Sequence, residues 1–175
     1  MSGRTGTIAQ VSTSGGGVPK LPVFQSFISS EGLEGDWQED RRHHGGPERA
    51  VCLFSLDIMR ALNAEGHPIA PGTTGENLTV EGLDWRLLVP GAVLDVGEAQ
   101  LQVTAYAVPC RTIRASFSDR NSNRINEKLH PAESRVYARV LRAGVVRPGD
   151  AVTVRAGHAD RALGSSATAP TTTSP

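Results

Sequence analysis

Apolar residues in this chain fall into short runs separated by glycine, proline and polar residues. Most of these runs have a period of two, which sends successive side chains to opposite faces and predicts strands half-buried in a sheet. "TIAQVS" (7–12) alternates weakly and leads into the glycine-rich "SGGGVPK" (14–20). "PVFQSFI" (22–28) predicts one strand, with Val23, Gln25 and Phe27 on one face and Phe24, Ser26 and Ile28 on the other. "AVCLF" (50–54) does not alternate, as expected of a strand covered on both sides. Ser55 then reads as a helix N-cap, with Asp57 in the first turn, where a carboxylate favours the helix dipole. Leu56, Met59 and Leu62, with Ile58, give the following segment a helical face, and Gly66 is its natural stop.

The β pattern returns after "HPIAPGTTG", in "ENLTVEGLDW", "AVLDVG" and "AQLQVTAYAV". The last is the longest strand candidate, with Leu101, Val103, Ala105 and Ala107 sharing one face. Proline at 109 ends it, because proline brings no N–H to a ladder. "PCRTIRASFSDRNSNRINEKLHPAE" (109–133) is polar and irregular, with room for one or two helical turns. "RVYARVLRAGVVRPGDAVTV" (135–154) predicts two strands around a Gly/Pro turn. "VPGAVLDVG" and "VRPGDAVTV" share a Pro-Gly turn followed by an apolar strand. Many short strands, one clear helix and frequent turns predict a mainly β, barrel-like domain. No GxGxxG follows a strand and no phosphate-binding P-loop is present, which argues against dinucleotide and ordinary ATP binding.

Length and charge narrow the picture further. The 175 residues suit one domain, expected over 1–157, with the small, polar tail 158–175 expected to be disordered. The formal net charge is zero and aromatics are scarce, so neither a nucleic-acid partner nor a membrane surface is expected. No run is long enough to span a membrane and the N-terminus has no apolar signal core, so the expected compartment is the cytoplasm. Two cysteines do not make a disulfide scaffold.

Four segments could carry chemistry. Cys110 follows Pro109, where the chain leaves the sheet; Arg111 and Arg114 are expected to lower its pKa and favour thiolate. It reads either as a thiolate ligand or nucleophile, or as a half-buried structural cysteine. Cys52, inside an apolar run, reads as inert filling. In "DRRHHGGPERAV", Arg41, Arg42, His43 and His44 can point donors at an oxyanion. Adjacent histidines on an extended chain diverge, which disfavours a shared zinc ion. In "GTTGENLTVEG", Glu76 and Asn77 follow a glycine-flanked turn that could offer backbone N–H groups and an amide to a polar ligand. Lys20, after the glycine-rich turn, could reach a phosphate. His67, His130 and His158 lie in polar segments and form no constellation.

Taken together, "GGGVPK", "GLEGDWQEDRRHHGGPERAV", "GTTGENLTVEG", "GAVLDVGEAQLQVT", "VPC" and "YARVLRAGVVRPGD" resemble, in order, the molybdenum cofactor sulfurase C-terminal (MOSC) domain family in its small free-standing form. The resemblance covers about residues 6 to 155. It implies a β-barrel-like domain that binds the molybdenum cofactor, a pterin dithiolene carrying a phosphate. The cysteine of the "PC" element falls on Cys110, which in the family is proposed to ligate molybdenum or carry sulfur. Arg41, Arg42, His43, His44, Glu76 and Asn77, with Lys20 and Arg111, would line the cofactor pocket. Pyridoxal phosphate binding belongs to the resemblance at the level of the family only.

Some relatives reduce N-hydroxylated compounds to amines or amidines; others adjoin a cysteine desulfurase-like domain and act in cofactor sulfuration. The implied functions are therefore a reductase served by an external electron donor, or a non-catalytic cofactor or persulfide carrier served by a sulfurating enzyme. The acid that would protonate a leaving oxygen is either Glu76 or a histidine. The chain departs from the family where a glycine and an aromatic pair usually precede the closing strand: here the sequence is "SRVYARV". Nothing in the sequence sets an oligomeric state.

Overall fold

The computed structural model describes residues 3–37 and 45–157. In chain order the elements are β1 (Thr5–Thr13), β2 (Leu21–Val23), β3 (Ser26–Ser29), β4 (Gly32–Leu33), β5 (Val51–Ser55), α1 (Leu56–Ala64), β6 (Leu78–Glu81), β7 (Val93–Val96), β8 (Ala99–Tyr106), β9 (Val136–Arg142), β10 (Gly144–Val146) and β11 (Ala151–Val154). Short 3-10 turns cover Pro47–Arg49, Trp85–Leu87, Arg111–Ser116 and Ser122–Ile125.

Seven strands close on themselves in the order β1, β6, β5, β9, β8, β7, β11 and back to β1. Closure leaves no free edge around the ring. The seam is made by β1, whose first residues pair with β11 (Gly6 opposite Val152) and whose last residues pair with β2 (Val11 opposite Val23). The two runs that begin with Pro-Gly, β7 and β11, lie side by side, Val96 opposite Val152. Their alternation holds: Leu94, Val96, Val152 and Val154 are buried in the barrel with Leu101 and Val103 of β8. The pairing of β5 with β6 is parallel, and a parallel pair needs a long crossover; α1 begins that crossover directly after β5.

The helix is built as its sequence dictates. Ser55 Oγ accepts the Ile58 N–H at 3.3 Å, and the Asp57 carboxylate accepts the Gly82 N–H at 2.7 Å. Met59 and Leu62 are fully buried against the barrel, each worth about 1.5–3 kcal/mol of transfer free energy. Every residue of β5 is buried, and Phe54 meets the Trp85 ring edge-on, centroids 6.5 Å apart.

Three expectations are corrected. The 22–28 run is two strands: β2 extends β1, whereas β3 pairs with β10 in a separate sheet with β4. The chain changes sheets at Phe24 and Gln25, so one alternation cannot continue, and Phe24 is 83% exposed while Ser26 and Ile28 are buried. The longest strand is β1, of nine residues, because Ala107 and Val108 have already left the ladder before Pro109. The closing run holds three strands rather than two. Gly144 passes so close to Glu98 that an added Cβ would lie 2.5 Å from the Glu98 carbonyl carbon, and there the chain leaves β9 to form β10. Residues 158–175 lie outside the described residues. No helix among the described residues is long and apolar enough to cross a membrane.

Candidate functional site

A cavity of about 470 Å³ lies against the outer side of β5 and β9, a volume typical of small-ligand sites. The strand period explains its floor. Val51 and Leu53 belong to the main core; Cys52, between them, faces the other way and joins Ala107 and Tyr137 in a separate small apolar cluster. Cys52 and Tyr137 are register partners across β5 and β9. Lys20, Thr74, Cys110 and Arg135 complete the wall from four different segments, and Trp37, 56% exposed, stands at the lip.

Cys110 sits at the cap of the 3-10 turn that follows the end of β8, half-buried. Burial pushes its thiol pKa up, but hydrogen bonding from the Thr112 hydroxyl and backbone N–H, the positive charge of Arg135 and the Ile113 N–H together bring it below 9.0. The Thr112 Oγ1 lies 2.7 Å from Cys110 Sγ. The guanidinium with the leading effect on this thiol is thus Arg135, whereas Arg111 and Arg114 are exposed. Cys52 is the opposite case: burial pushes its thiol up to about 11, so it stays protonated. Its expected inertness stands with its burial, but its position does not, since it lines the cavity rather than the barrel core.

One polar network fixes the wall. Lys20 Nζ pairs with Asp36 Oδ2 at 2.5 Å, and both side chains are almost fully buried. Asp36 also accepts the Asn77 Nδ2 amide at 2.9 Å and the Ser14 N–H at 2.9 Å. Asn77 Oδ1 accepts the Cys52 N–H at 3.1 Å, and the Asn77 N–H donates to the Cys52 carbonyl at 2.8 Å. The two glycine-rich turns lie against each other. The Lys20 N–H donates to the Gly72 carbonyl at 2.9 Å, and a Cβ at Gly72 (φ +86) would fall 2.1 Å from the Lys20 oxygen. The turn is braced in turn by Ser116, whose hydroxyl donates to the Thr73 carbonyl at 3.1 Å, tying it to the segment that carries Cys110.

The residues singled out from the sequence separate on this geometry. Lys20, Asn77 and Cys110 come together at the cavity. Glu76 is fully buried behind it, accepting from the Gly72 N–H at 2.6 Å, Thr74 Oγ1 at 2.7 Å and Thr79 Oγ1 at 3.0 Å, so its carboxylate braces the turn and does not line the cavity. Arg111 is exposed and outside the lining. Arg41, Arg42, His43 and His44 lie outside the described residues. The chain after them enters the core at Ala50 and Val51, both buried. His67 is held away from the cavity: it packs edge-on against Phe117, and its Nδ1 accepts the Ser118 N–H at 3.2 Å. Asp36, Trp37 and Tyr137 fall within segments that carry the family resemblance but were not singled out as site residues, and Arg135 lies just before one of them. The one signal available was the departure "SRVYARV", which puts a cation before the closing strand.

The family model described as the MOSC domain matches residues 40–153. Over 135 residues the chain is 31% identical to the uncharacterized protein YflK of Bacillus subtilis (strain 168), covering 76% of this chain and 60% of that protein. Over 105 residues it is 31% identical to protein YiiM of Escherichia coli (strain K12), covering 57% of this chain and 47% of that protein. The chain therefore spans between about half and three-fifths of the length of these curated relatives. The crystal structure of YiiM from Geobacillus stearothermophilus matches with a TM-score of 0.65 at 21% identity, over 86% of this chain and 75% of that one. YiiM from Escherichia coli matches with a TM-score of 0.62 at 23% identity, over 86% and 70%. At these identities the two structures show a shared fold.

Proposed function

Because the chain belongs to the MOSC domain family, we propose that its cavity binds a molybdenum cofactor with Cys110 as the metal-facing thiolate, and that the loaded protein reduces N-hydroxylated compounds. The observation that carries this reading is the pairing of a thiol with lowered pKa and a cationic wall in one cavity of ligand size. A thiolate is a soft ligand suited to a transition metal, and a phosphate-bearing pterin is anionic. Arg135 supports the fit: its buried Nε has no hydrogen-bond partner among the described residues, as expected of a donor awaiting an acceptor.

When bound, the cofactor would supply the redox chemistry that removes oxygen from an N–OH group. The chain's own residues would do the rest. Thr112 would favour the thiolate form of Cys110, Arg135 would offset negative charge, and Trp37 would shield the mouth from water. Asn77 and Asp36 hold Lys20 in place through the network described above. Conversion of R–NHOH to R–NH2 and water consumes two electrons and two protons, so a separate reductase must deliver the electrons.

The test is to produce the protein in a cofactor-competent host beside Cys110→Ser. We expect molybdenum in the wild type, its loss in the variant, and reduction of benzamidoxime or a hydroxylaminopurine with an artificial electron donor. A molybdenum content equal in both proteins removes Cys110 as the ligand; loaded protein inactive on both substrates removes the reductase reading. The partial exposure of Cys110 favours a second reading, a sulfur carrier. Attack of the thiolate on a desulfurase persulfide would move the outer sulfur to Cys110 and release the donor thiol. Intact mass after incubation with a cysteine desulfurase and cysteine should then rise by one sulfur at Cys110.

A further inference from the structure

Arg135 is 5% exposed, and its guanidinium forms no ion pair with any carboxylate of the described residues. Its Nη1 donates to the Thr74 carbonyl at 2.5 Å, its Nη2 reaches the Val108 carbonyl only at 3.5 Å, and its Nε has no acceptor among the described residues. The buried carboxylate of Glu76 is taken by Gly72, Thr74 and Thr79, and that of Asp36 by Lys20, Asn77 and Ser14. The charge of Lys20 is thereby matched inside the wall, while that of Arg135 is not. A buried guanidinium is normally paired, because removing it from water without a counter-charge is costly. Its planar fork suits carboxylates and phosphates bidentately.

We propose that Arg135 makes the inner wall of the cavity an oxyanion subsite within electrostatic reach of Cys110, so that the site selects ligands carrying a carboxylate or phosphate. The positive charge of Arg135 acts on Cys52, Cys110 and Tyr137, which, with all four lining the cavity, places it between the floor and the Cys110 wall. A small acidic substrate and the phosphate of a bound cofactor both present this anion; the chemistry recognised is the same. The subsite stands on the cavity alone, whereas its part in catalysis rests on the reading proposed above.

Alkylation of Cys110 in cofactor-free protein tests it, using anionic iodoacetate and neutral iodoacetamide and locating the adduct by peptide mass mapping. Both reagents need the same thiolate, so the ratio of their rates isolates attraction of the anion from any change in thiol pKa. We expect the iodoacetate/iodoacetamide ratio at Cys110 to exceed that of glutathione by about tenfold, the scale on which a charged cleft concentrates a counter-ion. Inorganic phosphate should suppress the iodoacetate rate selectively. Arg135→Gln, which retains hydrogen-bonding capacity, should bring the ratio to the glutathione value; Arg135→Lys should retain part of it. Equal ratios in wild type and folded Arg135→Gln overturn the subsite, and leave the cofactor reading to be judged by metal content. Molybdenum content of Arg135→Gln identifies the source of the anion: loss assigns the subsite to the cofactor phosphate, and retention to a substrate anion.

Discussion

Thr112 Oγ1 lies 2.7 Å from Cys110 Sγ, two residues along the same turn. Burial alone would raise this thiol, and the Thr112 hydroxyl is the largest of the contributions that reverse the sign. A hydrogen bond given to the thiolate favours the charged form, so thiolate appears at lower pH than in a free cysteine. Thr112→Val removes the donor at nearly constant volume. The midpoint of the iodoacetamide pH–rate curve should move up, and the rate at pH 7 should fall severalfold. Cys52, held protonated up to about 11, should remain unlabelled through the same range. An unchanged midpoint in Thr112→Val would remove Thr112 from this role.

Asn77 joins Cys52 to Asp36, and its amide is spent entirely inside the wall. Asn77→Ala leaves the buried Cys52 N–H without its acceptor and takes one donor from Asp36. The loss should be about 1–3 kcal/mol in urea unfolding, the cost of stranding a buried polar group. A loss below the error of the measurement would show that water replaces the amide.

Gly72 is required twice, by its positive φ and by the Lys20 carbonyl 2.1 Å from the site of a Cβ. Gly72→Ala should therefore cost more than Gly149→Ala, where φ is also positive but an added Cβ meets nothing within 4 Å. Backbone strain alone accounts for about 1–3 kcal/mol at either position. The excess at Gly72 measures how firmly the two turns are packed, and should appear as a lower thermal midpoint. Equal losses at the two positions would mean that the turns separate without cost.

The segment bearing Cys110 is anchored at its far end by Arg124, which pairs with Glu65 Oε1 at 2.6 Å and also with Glu133. The Arg124 hydrogen bond holds the Glu65 carboxyl below its ordinary value of 4.5. A depressed carboxyl pKa contributes stability that is present above the unfolded value and lost as pH falls through the folded one. Glu65→Gln should thus lower the urea midpoint at pH 7, with the difference from wild type shrinking steadily below about pH 4.5. A difference that stays constant between pH 7 and pH 3 would show that the pair carries no linked stability.

Much of the fold could be read directly. The period-two runs of β7, β8 and β11 bury the residues their alternation selects, the unbroken run of β5 is covered on both sides, and Ser55 caps α1. The site was legible only where a residue type stood beside a backbone signal: Cys110 after Pro109, Lys20 after its glycines, Asn77 after its turn. Arg135 and Asp36 stand in recognisable segments, but nothing local marks either as a site residue. Their role depends on which neighbours lack or supply a partner, and those neighbours are distant in the chain.

By itself the sequence determined the local choices. Residue period, caps and turn chemistry act over a few positions, and they set a mainly β chain with one helix after β5. Where the ring closes is a matter of long-range contact, because β1 and β11 meet from opposite ends of the domain. The tertiary structure also turns Cys52 to the cavity, makes Glu76 the brace of a turn, and gives Arg135 the leading cationic effect on Cys110. Electrostatic action falls off with distance and depends on burial, and neither can be counted along a chain.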